Sequence, residues 1–312
     1  MYESISTSNR KKGKYMFNNI IGNEQNKKLL KNIIHENKIS HSYMFIGKDS
    51  IGKSLFAKQF AKAVLCINDV KPCNKCKSCI EFDTFNNPDF KIINPDGNNI
   101  KIDQIRELVK NIYEKPIISN RKVYVINDSN LMTKEAQNSL LKTLEEPPEY
   151  ITIILIASNS SSFLPTVISR CSKIIFNKLN NEELKNVLKE KYNYTTISDL
   201  VLEIADGSIE KALNIMKKEE EYKKITRIYS GIEELSLINL INSKEEIFKE
   251  KDNAEQILEY INLIFLKKIN KNANYIKCMK ILEDTKDRLN KNNNYDMTID
   301  NFNITIWEEI HG

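Results

Sequence analysis

The stretch "GKDSIGKS", residues 47 to 54, limits what this chain can fold into more than any other, because it matches G-x-x-x-x-G-K-[ST] at every fixed place. An apolar strand, Tyr43 to Ile46, precedes it, and "SLFAKQFAKAVL" follows with apolar residues at helical spacing. The glycines therefore fall between a strand and a helix N-terminus, where exposed backbone N–H groups can cradle phosphate oxygens. Gly47 and Gly52 supply the unusual loop dihedrals, Lys53 reaches the outer phosphates, and the Ser54 hydroxyl coordinates Mg²⁺. ATP or ADP with Mg²⁺ is the expected ligand. The competing reading is a plain glycine turn.

From Met16 to about residue 178 short β-branched runs, "SYMFI", "FKII", "VYVI", "TIILIA" and "KIIF", alternate with helical patterns. That alternation predicts an α/β domain over 17–178 with a parallel sheet flanked by helices. The strands then stop. A small helical domain is expected over 179–219 and a separate helical bundle over 220–312, while the polar, basic residues 1–16 read as a flexible extension.

At 312 residues with 41% hydrophobic side chains, two or three domains can each bury a core, and a small peptide is excluded. The 47 basic and 42 acidic side chains leave +5, which permits nucleic acid or an acidic partner without requiring either. No run of about 18 apolar residues occurs, and the opening residues lack the apolar middle of a secretory signal, so a cytoplasmic location is expected. In a reducing compartment six cysteines are unlike a disulfide frame. Cys66, Cys73, Cys76 and Cys79 fall in one polar insert, "CINDVKPCNKCKSC", at a spacing that can close a tetrahedral thiolate shell around a structural Zn²⁺. Free or redox thiols and an iron–sulfur cluster compete, although the Cys-Pro that continues a ferredoxin run is missing after Cys79. Cys171 and Cys278 stand apart as packed or surface thiols.

A P-loop hydrolase ends a second strand with an Asp that holds Mg²⁺ and an acidic neighbour that positions water. The candidate here, "KVYVINDSN", has Asn127 and then Asp128. A neutral amide takes a full charge from the metal's surroundings, and Asp128 is one methylene shorter than the usual Glu, so hydrolysis should be poor even where binding is good. With the register shifted by one, Asp128 would itself be the metal ligand. In "LPTVISRCSKIIF", Arg170 precedes the last strand, and an Arg at a subunit edge either stabilises charge in an adjoining nucleotide site or is an ordinary surface residue. Glu145 and Glu146 of "LLKTLEEPP" read as a solvated turn where prolines stop a helix, His35, His41 and His311 lie near no nucleophile pattern, and Trp307 reads as packing.

In order along residues 17–213, "FNNIIGNEQ", "ISHSYMFIGKDSIGKS", the four-cysteine insert, "NPDF", "KVYVINDSN", "NSLLKTLEEPP", "ILIASN", "LPTVISRC" and "GSIEKAL" resemble the bacterial clamp-loader AAA+ family, the delta-prime, gamma and tau subunits of DNA polymerase III. The resemblance implies an AAA+ domain with a zinc module, a helical lid and a C-terminal collar that joins a hetero-oligomeric ring. The implied partners are gamma/tau and delta subunits and, through the complex, the sliding clamp and primer-template DNA. The gamma/tau ATPase carries Asp-Glu where Asn127 and Asp128 stand, and a lid Arg where Glu210 stands. Those departures are similar to the delta-prime type, which has little or no ATPase activity within the polymerase (nucleotidyltransferase) holoenzyme and offers the "SRC" arginine, here Arg170, to a neighbour in trans. Ser158 or Asn159 falls near the family's sensor position, and the first cysteine gap is shorter than usual. An active gamma/tau-like ATPase or a DNA-repair motor is the alternative, and a zinc-bearing nucleotide kinase ranks last.

Overall fold

The computed structural model describes residues 16–270, 272–291 and 294–312. The extension expected over residues 1–16 lies outside them except for Met16, which is fully buried.

All five apolar runs form strands: β1 Ser42–Ile46, β2 Phe90–Ile93, β3 Lys122–Ile126, β4 Ile151–Ala157 and β5 Ser172–Ile175. They pair in parallel in the order β2-β3-β4-β1-β5. Burial follows position. The interior strands β3 and β4 are buried along their whole length, as near-continuous apolar runs must be when both faces are covered, while edge strands β2 and β5 are half-exposed.

Helix α1 (Glu24–His35) and helix α2 (Lys53–Leu65) cover one face, where Tyr43 and Phe45 of β1 and Ile154 and Ile156 of β4 meet Phe56 and Phe60. The alternate residues, Met44, Ile153 and Leu155, point to the other face and pack with Ile105 and Leu108 of helix α4 (Ile102–Ile112) and Leu140 and Leu144 of helix α5 (Lys134–Glu145). The short helix α3 (Lys77–Asp83) carries the last residue of the cysteine insert, Cys79, and packs Phe82 into the core of the first face. Thr133 caps α5 by accepting from the Ala136 N–H, and Pro147 and Pro148 follow its end. Helix α6 (Pro165–Ile168) leads into β5, and helix α7 (Asn181–Tyr192) starts from a capping box between Asn180 and Glu183.

The chain forms two compact units. The first runs to Thr195 and takes in Asp206–Ile209; the second comprises Thr196–Ala205 and Glu210–Gly312. This division lies near residue 195 and does not coincide with the boundaries at 178 and 219 read from the loss of strands, because α7 stays with the first unit. The second unit is entirely helical, from α8 (Asp199–Ala205) and α9 (Ile209–Lys217, whose first residue belongs to the first unit) through α10 (Glu219–Ser230), α11 (Leu237–Asn242), α12 (Lys244–Ile247), α13 (Ala254–Lys268), α14 (Asn274–Asn290) and α15 (Tyr295–His311). Its core gathers Tyr229, Phe265, Tyr275 and Phe302, and Trp307 packs against it with Nε1 donating to the Leu235 carbonyl at 2.7 Å. Among the described residues no helix is long and apolar enough to cross a membrane.

Candidate nucleotide site and four-cysteine cluster

Because every strand runs the same way, the loops at the carboxyl ends of β1, β3 and β4 gather on one edge of the sheet. The phosphate loop leaves β1 there, with the Gly47 N–H bonded to the Ala157 carbonyl of β4 at 3.2 Å. A Cβ on Gly47 would sit 2.5 Å from the Phe176 carbonyl oxygen, and Gly52 has φ +92°, so both places demand glycine, one for space and one for backbone conformation. Helix α2 then begins at Lys53 with its N-terminus at the loop. Lys53 is only 6% exposed and donates to the Gly47 and Lys48 carbonyls at 2.5 Å. Burial holds its ammonium below the ordinary lysine value, with Asp49, 3.6 Å away, and then Asp128 acting in the opposite sense.

Ser54 reaches across β4 to the end of β3. Its hydroxyl donates to Asn127 Oδ1 at 3.2 Å, and Asn127 Nδ2 donates to Asn94 Oδ1 at 2.7 Å. Asn127 is thus the strand-end residue beside the P-loop serine, and its amide has both halves satisfied. Asp128 is exposed, in the left-handed region at φ 45°, and precedes the 3-10 turn Ser129–Leu131, its backbone carbonyl accepting from the Leu131 N–H. The register shift that would make Asp128 the residue facing Ser54 is therefore not the one the chain adopts. Of the sensor-position pair, the Ser158 N–H bonds to Asn130 and the Asn159 side chain accepts from the Ser161 N–H and hydroxyl in a local turn. Glu210 belongs to the second unit.

Asp206 was not legible in advance. Its carboxylate bonds both Lys48 of the phosphate loop and Lys178 after β5, tying the loop to the segment that ends the sheet. Burial opposes ionisation of Asp206, but the hydrogen bonds from Lys178 and Lys48 outweigh it and hold its carboxyl below the usual range.

Arg170 ends the turn between α6 and β5. Its carbonyl accepts from Ser42 Oγ at 2.6 Å, which fixes the backbone to β1. Its guanidinium is one-third exposed, donates to the Thr166 carbonyl at 2.8 Å and pairs with Glu145 at 2.7 Å. Glu145, read from sequence as part of a solvated turn, is thus the counter-ion of the candidate trans-acting arginine. The Cys171 thiol next to it is buried, which pushes it up to about 11 and leaves it a packing group.

Cys66, Cys73, Cys76 and Cys79 converge, with all four sulfurs within 4.8 Å of one another and the Cys66–Cys76 and Cys73–Cys79 pairs at 4.0 Å. Sulfurs held about 2.3 Å from a tetrahedral ion stand about 3.8 Å apart, so the cluster fits a four-thiolate metal shell. Backbone N–H groups of Cys73, Lys75 and Cys76 already point at its sulfurs, as thiolates need. Contact with Cys79 draws the Cys66 thiol down to about 5 and drives the Cys79 thiol up, the response of sulfurs crowded around a shared proton. The "NPDF" segment anchors this module. Asn87 donates to the Ser78 carbonyl at 2.9 Å, and buried Asp89 accepts three backbone N–H groups, from Ile117, Ile118 and Ser119, at 2.7 to 2.8 Å.

Residues 22–180 match the family model described as DNA polymerase III, delta subunit. The DNA polymerase III subunit delta' of Bacillus subtilis is 30% identical over 245 residues, 76% of this chain and 74% of its own length. The gamma/tau subunit of Mycoplasma genitalium is 32% identical over 208 residues, and there the chain spans only 35% of the relative. Among solved structures, a DNA polymerase III gamma subunit-related protein from Thermotoga maritima superposes with a TM-score of 0.51 at 21% identity, covering 90% of this chain and 99% of its own, which establishes a shared AAA+-like fold.

Proposed function

The chain belongs to the DNA polymerase III clamp-loader family, related to delta-prime and gamma/tau, and from that premise we propose that it is the delta-prime-type subunit: a nucleotide-binding, weakly hydrolysing or non-hydrolysing member that lends Arg170 to a neighbouring ATPase. The reading rests on one observation, the Asn127 amide beside Ser54 in place of a magnesium-holding carboxylate. Binding needs the loop, Lys53 and a hydroxyl, all of which are present. Cleavage needs negative charge beside the metal, and positioned charge supplies most of phosphoryl-transfer catalysis. In this reading a gamma/tau-type ATPase and a delta-type subunit are the partners, the sliding clamp and primer-template DNA are met through the complex, and the setting is cytoplasmic. The second unit supplies a lid segment and a collar, and the four cysteines hold a structural zinc ion that staples the insert.

The test is nucleotide binding and steady-state hydrolysis by the purified chain. Micromolar ATP affinity with negligible turnover, and turnover that appears only with partner subunits, supports the proposal; brisk DNA-stimulated turnover by the chain alone overturns it in favour of a gamma/tau-like ATPase, a reading to which the complete phosphate loop gives its one point of support. Elemental analysis of the same sample is expected to find one zinc per chain, lost in Cys76→Ser.

A further inference from the structure

The sheet edge opposite the phosphate loop carries a second concentration of positive charge. Arg121 immediately precedes β3, so it lies at the amino ends of the strands, whereas the phosphate loop follows β1 at their carboxyl ends. A cavity of about 370 Å³ opens at that edge, within the size range of small-ligand pockets. Three separate pieces of chain bring cations to its wall: Lys31 from α1, Lys71 from the cysteine insert, and Arg121. His35, one helical turn from Lys31, and Asn120 add polar atoms, and Asp69 is the one carboxylate in the lining.

All three cations are half-buried, and among the described residues none of them has an ion pair. Burial holds the Arg121 guanidinium below its ordinary value, with the Tyr43 hydroxyl acting weakly the other way, so this charge is partly desolvated without a counter-ion. Partly buried charges are normally paired, because desolvation is costly when nothing replaces the water. An arginine fork flanked by two lysines is the donor set that recognises phosphate, with the arginine giving bidentate geometry and the lysines point charge.

We infer that this pocket, lined by Arg121, Lys71 and Lys31, is an anion-binding site for a phosphate ester of about nucleotide size, distinct from the phosphate loop. Set against Asp69 and a thiolate at Cys66, the three lining cations leave a net positive wall that favours an anionic ligand. The phosphate can come from a free metabolite or from the end of a nucleic-acid strand; the chemistry of recognition is the same.

The experiment uses the full chain carrying Lys53→Ala, so that binding at the phosphate loop, and the fate of the nucleotide reading, do not enter. Inorganic pyrophosphate is titrated calorimetrically at low salt. Saturable one-to-one binding is expected, weakened about tenfold by Arg121→Gln and about a hundredfold when Lys71→Gln is added, while Arg121→Lys keeps most of it. Should Arg121→Gln impair folding, Lys71→Gln with Lys31→Gln makes the same test. Absence of saturable binding in the Lys53→Ala protein, or affinity indifferent to these substitutions, overturns the proposal. A short 5′-phosphorylated oligonucleotide then separates the sources: displacement of pyrophosphate assigns the site to a strand end, and failure to displace assigns it to a free phosphate ester.

Discussion

The loop after β1 and the end of β3 face each other across β4, yet they are furnished for different tasks. The loop has every group that holding a triphosphate requires: two glycines, one needed for space and one for backbone conformation, a buried lysine and a serine at a helix N-terminus. The strand end has an amide already satisfied by Ser54 and Asn94, and Asp128 beside it is exposed. Binding and cleavage set different requirements, because phosphate capture relies mostly on backbone donors and a cation, whereas cleavage needs anions that gather a metal and orient water. In the proposed reading a neighbour makes good what the strand end lacks, and Arg170 at the sheet's β5 side is what this chain gives in return.

The strongest way to break the contrast is through Arg170. In a complex reconstituted with partner subunits, Arg170→Ala is expected to lower ATP turnover by about 10³-fold, the scale of arginine fingers acting in trans, while the variant chain's own nucleotide affinity stays unchanged. Turnover within twofold of the parent complex would leave the arginine as a surface residue paired with Glu145. Next in size, Lys53→Ala should weaken ATP binding to the isolated chain by about a hundredfold, read by fluorescence titration, since it removes the loop's buried cation. Retained affinity would mean that the loop is a turn and nothing more.

How much of this could be read beforehand depended on the range of the interaction concerned. The five strands were legible because a parallel sheet covered on both faces leaves continuous apolar runs, and "TIILIA" is buried at every position. The cysteine cluster was legible because its ligands lie within 14 residues, Cys66 to Cys79, so spacing alone limits their geometry. Glu145 was misread because its partner is 25 residues away and reaches it only when α5 and the start of β5 have packed. The Asp206 bridge was invisible for the same reason, as was the reason for "NPDF", whose aspartate serves backbone donors 28 to 30 residues onward.

Asn127→Asp sharpens the contrast from the other side. It restores a carboxylate beside Ser54, and Asn94 can meet it by turning its amide so that nitrogen faces the new oxygen. Magnesium-dependent ATP affinity is expected to rise about tenfold. Turnover should rise only slightly, because the neighbouring Asp128 still stands where a longer acid is needed and Glu210 where a cation is. A variant that hydrolysed ATP briskly would show that one charge was the whole deficit.

The smallest effect concerns how firmly the loop is held. Asp206 bonds Lys48 and Lys178, and its carboxyl is depressed in the folded protein. A group whose folded-state value lies below its unfolded value adds stability above the unfolded value, near pH 4, and loses it as pH falls through the folded value. Asp206→Asn should therefore melt slightly earlier than the parent at pH 7, by a degree or two at most given how exposed both lysines are, and the difference should shrink below pH 4. Thermal melts of the two proteins across pH 3 to 7 make the comparison. No gap at any pH would mean that the aspartate serves only through its left-handed position, φ 44°, where asparagine is equally at ease, and that charge contributes nothing to keeping the loop in place.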